Sequence, residues 1–379
     1  MGTLRVLEFI PGLYWHGITE QVLACSRNIL DGGGDAHWIS LAPDRPEWLV
    51  ENRIQLHCVN GNPRAEPTQP LAGLGNWDTW TTYQAARELA RLIQQLNPDQ
   101  LSCWSAQTAW IATLARCWFS NPELKRTQLF YHESYLSPLR QSVTVWQRRL
   151  MNRHLEAIEV SHPSIREELL AEGFRQQITV APIPRVVEEF SIHAGDGEPF
   201  AIQQHCRQRL RSQLALGGNT FLAGAVAPLV PRTRLKDLIW ATDLLNVFLD
   251  DFHLVIWGTG AQYRDLKRFA AQTAAADHIH FLQQGRAGER ELAGLDCFWQ
   301  AHLLEPGSCT MLKAMSAGVP VIAVAGQGTD EWIRHQQTGF SVNFGARDEF
   351  ARWTKFIMEQ VAAADQVKNQ AKRWIEFNT

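Results

Sequence analysis

Residues 305–316 combine a carboxylate, a glycine-containing turn and the predicted start of a helix. Gly307 lets the backbone approach a ligand closely. The free amide groups at a helix start, together with the positive end of the helix dipole, bind a diphosphate or sugar hydroxyl groups. Glu305 lies just before the turn and can accept hydrogen bonds from hydroxyl groups. These residue types favour the binding of an anionic ligand that carries hydroxyl groups.

A second polar group, Arg232, Arg234 and Lys236, follows the predicted strand at 221–226. Arginine suits a phosphate because its planar guanidinium bonds two oxygen atoms at once. A solvated, basic helix start has the same composition. The sequence leaves both interpretations open, and we retain Arg232 and Arg234 as candidate phosphate-binding residues.

Short apolar runs alternate with helical patterns along the chain, which predicts mainly parallel sheets covered on both faces. A polar, glycine-containing stretch near 188–199 interrupts the alternation and predicts a linker. We expect an α/β fold of two Rossmann-like, doubly wound domains facing a cleft, with ligands beyond the carboxyl ends of the strands. The predicted domains are 1–190 and 191–360, and a C-terminal helix over 361–379 is expected to pack back on the first domain.

Composition limits the function classes. A length of 379 residues favours two domains, and 45% hydrophobic with 20% charged residues is typical of a globular protein. The formal net charge of -3 implies no global attraction to nucleic acid or to an anionic membrane. The seven cysteines form no Cys-x-x-Cys pair, which favours reduced thiols in the cytoplasm. The first residues predict a strand rather than a targeting segment, and no apolar run approaches the roughly 20 residues that span a bilayer.

The stretch 303–339 resembles the donor-site signature of the retaining family 4 glycosyltransferases. That signature has a Glu, seven residues, a second Glu and an Ala-Met-Ala-x-Gly-x-Pro-Val run, followed by Glu-x-Ile and Thr-Gly. Here Glu305 is the first Glu, Ala-Met-Ser-Ala-Gly-Val-Pro-Val occupies 314–321, and Glu331-Trp-Ile and Thr338-Gly follow. Lys313 replaces the second Glu, which holds the nucleotide ribose in the family, and reverses its charge and hydrogen-bonding sense. Either the ribose is held otherwise, or Lys313 contacts a phosphate, or donor turnover is lost.

A second departure concerns the cations that neutralise the donor pyrophosphate in the family. Without gaps, Pro228 replaces the family Arg and Thr233 replaces the family Lys. The predicted strand at 252–257 and the Gly-Thr-Gly after it resemble the family's strand and turn facing the nucleotide. Contact with the base is expected just after Leu282. The donor-binding residues implied by the resemblance and the nearby cations are Gly17, Arg232, Arg234, Gly258, Gly260, Leu282, Ser308, Cys309, Thr310 and Lys313.

Two features of the first domain also match the family in outline. Gly17 belongs to the connection between the first strand and the first helix, where the family has a glycine-rich loop near the donor phosphates. His132 ends a predicted strand, and the resemblance puts a family His there, near the sugar being transferred. Glu133 either orients His132 or faces solvent. The catalytic residues implied by the resemblance are Glu305 and His132.

The resemblance implies a GT-B fold and transfer of a hexosyl unit from a nucleoside-diphosphate sugar, with retention, to a glycan, lipid or small-molecule acceptor. No Asp-x-Asp motif stands out at a suitable strand end. We therefore expect a metal-independent enzyme whose nucleotide sugar is a co-substrate, without a further cofactor. Polysaccharide or glycan assembly is the commonest setting of the family. The alternatives are a degenerate, non-catalytic protein that binds a sugar nucleotide or a partner, favoured by Lys313 and Pro228, and an epimerase of the same fold.

The expected partners are a nucleotide sugar and an acceptor, and no nucleic acid. The stretch 141–155 carries arginines at 148, 149 and 153 beside Trp146. Such a basic, amphipathic stretch predicts either weak contact with a membrane surface or a solvated helix packed on its own domain. The expected location is the cytoplasm, and a peripheral position at the inner face of the membrane remains open.

Overall fold

The computed structural model describes residues 3–10, 16–41, 54–59, 79–119, 121–133, 143–180, 199–249, 251–258, 260–282, 289–302, 309–326 and 328–378. The chain divides into two compact units, residues 1–182 and 183–379. The predicted boundary after residue 190 lies in the stretch 181–198, outside the described residues, and stays a prediction.

The first unit alternates strands with helices. Its strands are β1 (Arg5–Ile10), β2 (Asp35–Ser40), β3 (Gln55–Cys58), β4 (Gln100–Cys103), β5 (Gln128–Glu133), β6 (Ala157–Val160) and β7 (Gln177–Val180). Its helices are α1 (His16–Asp31), α2 (Thr79–Leu96), α3 (Ala106–Trp118), α4 (Pro122–Arg126), α5 (Val145–His154) and α6 (Pro163–Glu172). The strands form one parallel sheet in the order β3-β2-β1-β4-β5-β6-β7.

The two faces of this sheet differ in polarity because successive side chains point to opposite faces. One face packs Leu7, Leu101 and Tyr131 into the core of the unit. The strand register places a polar set on the other face, and it consists of Glu8, Ser102, His132 and Glu159. Charged side chains within buried strands require partners, so this face is a candidate for function.

The second unit also alternates strands with helices. Its strands are β8 (Phe221–Val226), β9 (Phe252–Trp257), β10 (Ile279–Leu282), β11 (Cys297–Gln300), β12 (Val321–Val324) and β13 (Phe340–Val342). Its helices are α7 (Pro199–Gln213), α8 (Leu235–Asn246), α9 (Tyr263–Ala270), α10 (Glu289–Ala293), α11 (Cys309–Ser316), α12 (Arg347–Glu359) and α13 (Val361–Asn378). The strands form a parallel sheet in the order β10-β9-β8-β11-β12-β13. Successive strands are added on one side of β8 up to β10 and on its other side from β11 onwards, so the strand order reverses between β8 and β11 while all strands stay parallel. Such a reversal is where doubly wound sheets bind ligands, beyond the carboxyl ends of the strands.

Helix α7 follows the predicted linker and is anchored by a buried arginine. Arg211 is 1% exposed and donates hydrogen bonds to the carbonyl oxygen atoms of Thr220, at 2.9 Å, and Gly294, at 3.0 Å. Its guanidinium also pairs with Asp296. These bonds fix α7 to the amino ends of β8 and β11.

The C-terminal helix α13 packs within the second unit. Ala371 and Ile375 are buried in the same apolar cluster as Met311 and Leu312 of α11. Helix α13 therefore supports the helix that the sequence singled out for ligand binding. The expected packing of this helix on the first domain stays a prediction.

Candidate functional site

The turn after β8 is fixed by its own hydrogen bonds. The Thr233 hydroxyl is buried and donates to the carbonyl oxygen atoms of Pro228, at 2.8 Å, and Val230, at 2.7 Å. A short 3₁₀ helix, Pro231–Thr233, leads to Arg234. Arg234 has a left-handed backbone conformation, with φ of 55°, and is the N-cap residue of α8. Pro228 and Thr233 therefore hold the shape of the turn, and neither supplies the positive charge that the family has at these positions.

The two candidate phosphate-binding arginines in this turn differ in their surroundings. The Arg234 Nε lies 2.5 Å from Oδ2 of Asp237, and Arg347 pairs with the other oxygen of the same carboxylate at 2.8 Å. The Arg234 guanidinium also lies 4.5 Å from the centre of the Phe344 ring. Arg232 is exposed. Of the two, Arg234 has a clear structural role, and the phosphate contacts of both stay predictions.

The glycines after β9 allow two turns to touch. A Cβ atom at Gly258 would lie 2.0 Å from the Ala227 carbonyl oxygen, and one at Gly260 would lie 2.5 Å from the Leu229 carbonyl oxygen. The amide of Gly258 donates to the carbonyl oxygen of Leu282 at 3.1 Å. These glycines therefore let the carboxyl ends of β8, β9 and β10 lie close together at one edge of the sheet. The sequence predicted nucleotide binding at this edge. Residues 283–288, where contact with the base was expected, lie outside the described residues.

Helix α11 follows β11 in the chain and packs against it. Cys309, Thr310 and Lys313 are 1%, 6% and 2% exposed, so the helix is packed inside the unit. The first amide groups of a helix lack partners within it, which keeps the predicted anion-binding role of this turn open. Glu305 and Ser308, both predicted site residues, lie outside the described residues.

His302 is a buried residue near the carboxyl end of β11 that sequence reasoning missed. Its side chain is 5% exposed, and within the described part of the chain its Nδ1 atom has no hydrogen-bond partner. Burial lowers the pKa of the His302 imidazole to about 4, so the ring is neutral at pH 7. A histidine within an otherwise apolar stretch after a strand was the available signal.

In the first unit, His132 lies at the carboxyl end of β5. Its Nδ1 atom is 2.9 Å from Oε2 of Glu159, and its ring stacks on Trp104 with ring centres 4.2 Å apart at 12°. Trp104 donates through Nε1 to Oε2 of Glu8 at 2.6 Å. The sequence predicted His132 but not its three neighbours. The charged residues Glu8 and Glu159, each within an otherwise apolar strand, were the sequence signal that could have identified these neighbours.

The charge states of these two glutamates differ. Burial raises the pKa of the Glu8 carboxyl to about 7, an increase that the nearby His132 and the Trp104 hydrogen bond oppose. The hydrogen bond with His132 lowers the pKa of the Glu159 carboxyl. Glu159 is therefore ionised at pH 7, whereas the raised pKa of Glu8 lets it take up a proton more readily than an exposed glutamate does.

The expectation for Glu133 was wrong on both alternatives. Glu133 is 4% exposed and accepts a hydrogen bond from the Tyr131 hydroxyl at 2.5 Å. Strand alternation places it on the opposite face of the sheet from His132. Glu159, on the neighbouring strand, takes the position beside the His132 ring.

Gly17 lies in the first turn of α1 rather than in the connecting loop, because the helix begins at His16. The loop itself, 11–15, is outside the described residues. Among the residues that the structure describes, no group of three or more His, Cys, Asp or Glu side chains could hold a metal ion. Within the same ranges, no helix is long and apolar enough to cross a membrane.

The fold and the strand reversal agree with a family match. Residues 207–374 match the family model "Glycosyl transferases group 1". The matched segment lies within the second unit, and the chain has the GT-B fold class, with two Rossmann-like parallel-sheet units.

Curated relatives match part of the chain. A GDP-mannose-dependent alpha-(1-6)-phosphatidylinositol monomannoside mannosyltransferase of Mycobacterium tuberculosis is 28% identical over 174 residues, covering 41% of this chain and 43% of the relative. The lipopolysaccharide core biosynthesis glycosyltransferase LpsE of Rhizobium meliloti is 22% identical, covering 58% of this chain and 57% of the relative. The chain therefore spans about half the length of these relatives.

Solved structures match nearly the whole chain in fold. HepE of Anabaena, in complex with UDP and glucose, is 17% identical with a TM-score of 0.76, covering 99% of this chain and 95% of that chain. Sucrose-phosphate synthase of Thermosynechococcus elongatus is 14% identical with a TM-score of 0.72, covering 99% of this chain and 94% of that chain. At this identity the likeness concerns the fold alone.

Proposed function

We propose that the chain is a retaining glycosyltransferase that moves a hexosyl unit from a nucleoside-diphosphate sugar to a glycan, lipid or small-molecule acceptor. The observation that carries the proposal is the reversal of the strand order between β8 and β11. The chain leaves the carboxyl end of β8 towards α8 and the carboxyl end of β11 towards α11, so both connections start at the same edge of the sheet. The family match over 207–374 includes both segments. Two relatives support a nucleotide-sugar donor, since one is GDP-mannose-dependent and the structure of another contains UDP and glucose.

Each part of the donor has a proposed contact at this edge. The backbone amides at Cys309 and Thr310 hold the diphosphate, because a helix start offers donors and a favourable dipole. Arg232 adds positive charge from the turn before α8. Glu305 accepts hydrogen bonds from the sugar hydroxyl groups, and the base lies near Leu282. Gly258 and Gly260 shape the turn after β9, and Ser308 adds a contact to the donor.

Catalysis in this proposal consists of positioning and charge stabilisation. The bond between the anomeric carbon and the diphosphate breaks, an acceptor hydroxyl oxygen forms the new bond, and the proton of that hydroxyl passes to the departing diphosphate. The departing diphosphate takes the negative charge, which the helix amides and Arg232 stabilise without a metal ion. His132, in the first unit, binds the transferred sugar.

The second candidate is a degenerate protein that binds a sugar nucleotide without turnover. Lys313 favours it, because a lysine that is 2% exposed occupies the position of the ribose-binding Glu of the family. A lysine donates hydrogen bonds and accepts none. Ribose hydroxyl groups then need another acceptor in this chain.

A donor panel separates the two candidates. Hydrolysis and binding are measured with UDP-, GDP- and ADP-sugars. We expect slow hydrolysis of one donor, reduced at least about 100-fold by Glu305→Ala because a transition-state contact is lost. Glu359→Ala is the matched control, since Glu359 is an exposed carboxylate in an ion pair with Lys355 at the end of α12. Binding without turnover would select the degenerate protein, and the absence of both would contradict each candidate.

A further inference from the structure

Glu159 and His132 form a pair that the strand register creates. Strands β5 and β6 place the two residues opposite each other, and Oε2 of Glu159 lies 2.9 Å from Nδ1 of His132. The lowered pKa of the Glu159 carboxyl, caused first by this hydrogen bond, keeps it ionised. A carboxylate only accepts hydrogen bonds, so Nδ1 of His132 carries the proton.

The ring is held from a second side by Trp104. The two rings lie nearly parallel, at 12°, with centres 4.2 Å apart. Trp104 is in turn fixed through its indole nitrogen, which donates to Glu8 at 2.6 Å, and it directly precedes Ser105, which caps α3. Rotation of the His132 ring would break both the stacking contact and the bond to Glu159.

The remaining nitrogen of this fixed ring is left unsatisfied. Nε2 of His132 is buried and has no hydrogen-bond partner among the residues that the structure describes. An unsatisfied buried polar atom costs about 1–3 kcal/mol, so such atoms call for an explanation. A ring protonated only on Nδ1 presents Nε2 as an acceptor, and a hydroxyl group is the matching donor.

We infer that Glu159 is a positioning residue, which holds His132 so that Nε2 accepts a hydrogen bond from a hydroxyl group of the donor's sugar. The inference rests on the proposed function, because that function supplies the sugar. It assigns the role to this chain's own pair of residues on β5 and β6. Trp104 and Glu8 support the pair by limiting the movement of the ring.

The tautomer of His132 is the first measurement. The chain has 13 histidines, and nitrogen NMR of protein labelled at histidine resolves protonated from unprotonated ring nitrogens, with His132→Gln identifying the signal. We expect Nδ1 to be protonated and Nε2 unprotonated in the wild type. Glu159→Leu should lose this preference, and Glu159→Gln should retain part of it because its amide oxygen still accepts a hydrogen bond.

The contribution of the sugar to binding is the second measurement. Dissociation constants are compared for UDP and UDP-glucose, GDP and GDP-mannose, and ADP and ADP-glucose. For the pair that binds, Glu159→Leu should weaken the sugar nucleotide about tenfold, as expected for one lost hydrogen bond, and leave the nucleoside diphosphate unchanged. Glu156→Leu is the matched control, because Glu156 is an exposed carboxylate three positions earlier that lies 3.9 Å from Arg116.

The outcomes separate this inference from the proposed function. The inference is supported if Glu159→Leu, shown to be folded by circular dichroism, loses both the Nδ1 tautomer of His132 and the preference for the sugar nucleotide over the nucleoside diphosphate. A proton on Nε2 in the wild type, or an unchanged sugar preference in Glu159→Leu, overturns it while the donor still binds. If the wild type binds none of the six nucleotides, the proposed function fails and the sugar assignment fails with it, whatever the tautomer.

Discussion

The carboxylate of Asp237 lies 2.5 Å from Nε of Arg234, three residues earlier at the start of α8. The side chain of Asp237 is only 8% exposed, and its second oxygen accepts Arg347 at 2.8 Å. This arrangement ties the turn after β8 to the start of α12. Arg234 therefore shapes the edge of the second sheet where the phosphate-binding turn is proposed.

A double-mutant cycle measures that structural role. Arg234→Ala, Asp237→Ala and the double variant should show a coupling free energy of about 1 kcal/mol in the unfolding of the second unit, since the pair is partly buried. Asp265 and Arg268 have the same spacing but are 59% and 73% exposed, so their cycle should give at most about 0.5 kcal/mol. Equal coupling in the two cycles would show that the Arg234 pair has no special role.

Gly258 should tolerate no side chain. Gly258→Ala places a Cβ atom 2.0 Å from the Ala227 carbonyl oxygen, so the turns after β8 and β9 must separate. We expect a loss of about 2–4 kcal/mol in the free energy of unfolding. Gly218→Ala is the control, because none of the described residues except its own chain neighbours lies within 4 Å of the added Cβ atom. Denaturant unfolding of both variants checks this, and a stable Gly258→Ala protein would refute the packing of the two turns.

The buried guanidinium of Arg211 should be important for stability. Arg211→Met leaves the Asp296 carboxylate buried with one cation fewer, and such losses cost about 3–5 kcal/mol. Arg207 also pairs with Asp296 but is 40% exposed, so Arg207→Met should cost about 1 kcal/mol. Thermal unfolding of the two variants ranks them, and a smaller effect at Arg211 would contradict the anchoring of α7.

His302 should make the second unit sensitive to acid. At pH 7 the ring is neutral in both the folded and the unfolded state. Below the unfolded pKa near 6.5 the unfolded chain gains a proton, but the folded ring, with a pKa of about 4, does not. The free energy of unfolding therefore falls as the pH drops from about 6.5 to 4, by up to about 3 kcal/mol.

His302→Leu should flatten this decline. Denaturant unfolding is measured from pH 7 to pH 4 in the wild type, in His302→Leu and in His205→Leu, where the replaced residue is exposed. The slopes of wild type and His205→Leu should agree. An unchanged slope in His302→Leu would show that this ring does not cause the acid sensitivity.

Much of the fold follows from the apolar pattern of the sequence. The strands Phe221–Val226 and Phe252–Trp257 have the predicted bounds, because each is an apolar segment between clear stop signals. The parallel sheets follow from the alternation of these elements. Helix Pro199–Gln213 was missed because a buried arginine, Arg211, anchors it, and an apolar pattern does not count a charged residue as core.

The candidate site was predictable in part. The family resemblance implied the strand end at His132 and the turn at Gly258, and the cluster of basic residues pointed to Arg234. The structure brings Gly258 and Arg234 to one sheet edge. The pairing of His132 with Glu159 was not predictable, because it depends on the register of β5 and β6. No spacing within the sequence reports that register. Lys313 and Pro228 depart from the family pattern, and their effect on turnover stays a prediction.

The position of a bound diphosphate tests the central claim most directly. Crystals are soaked with the UDP-, GDP- or ADP-sugar that binds in solution, and the diphosphate is located. The account predicts phosphate oxygens within hydrogen-bonding distance of the amides of Cys309 and Thr310, at the edge where β8 and β11 diverge. A diphosphate bound elsewhere, or a start of α11 closed to ligand, would contradict it.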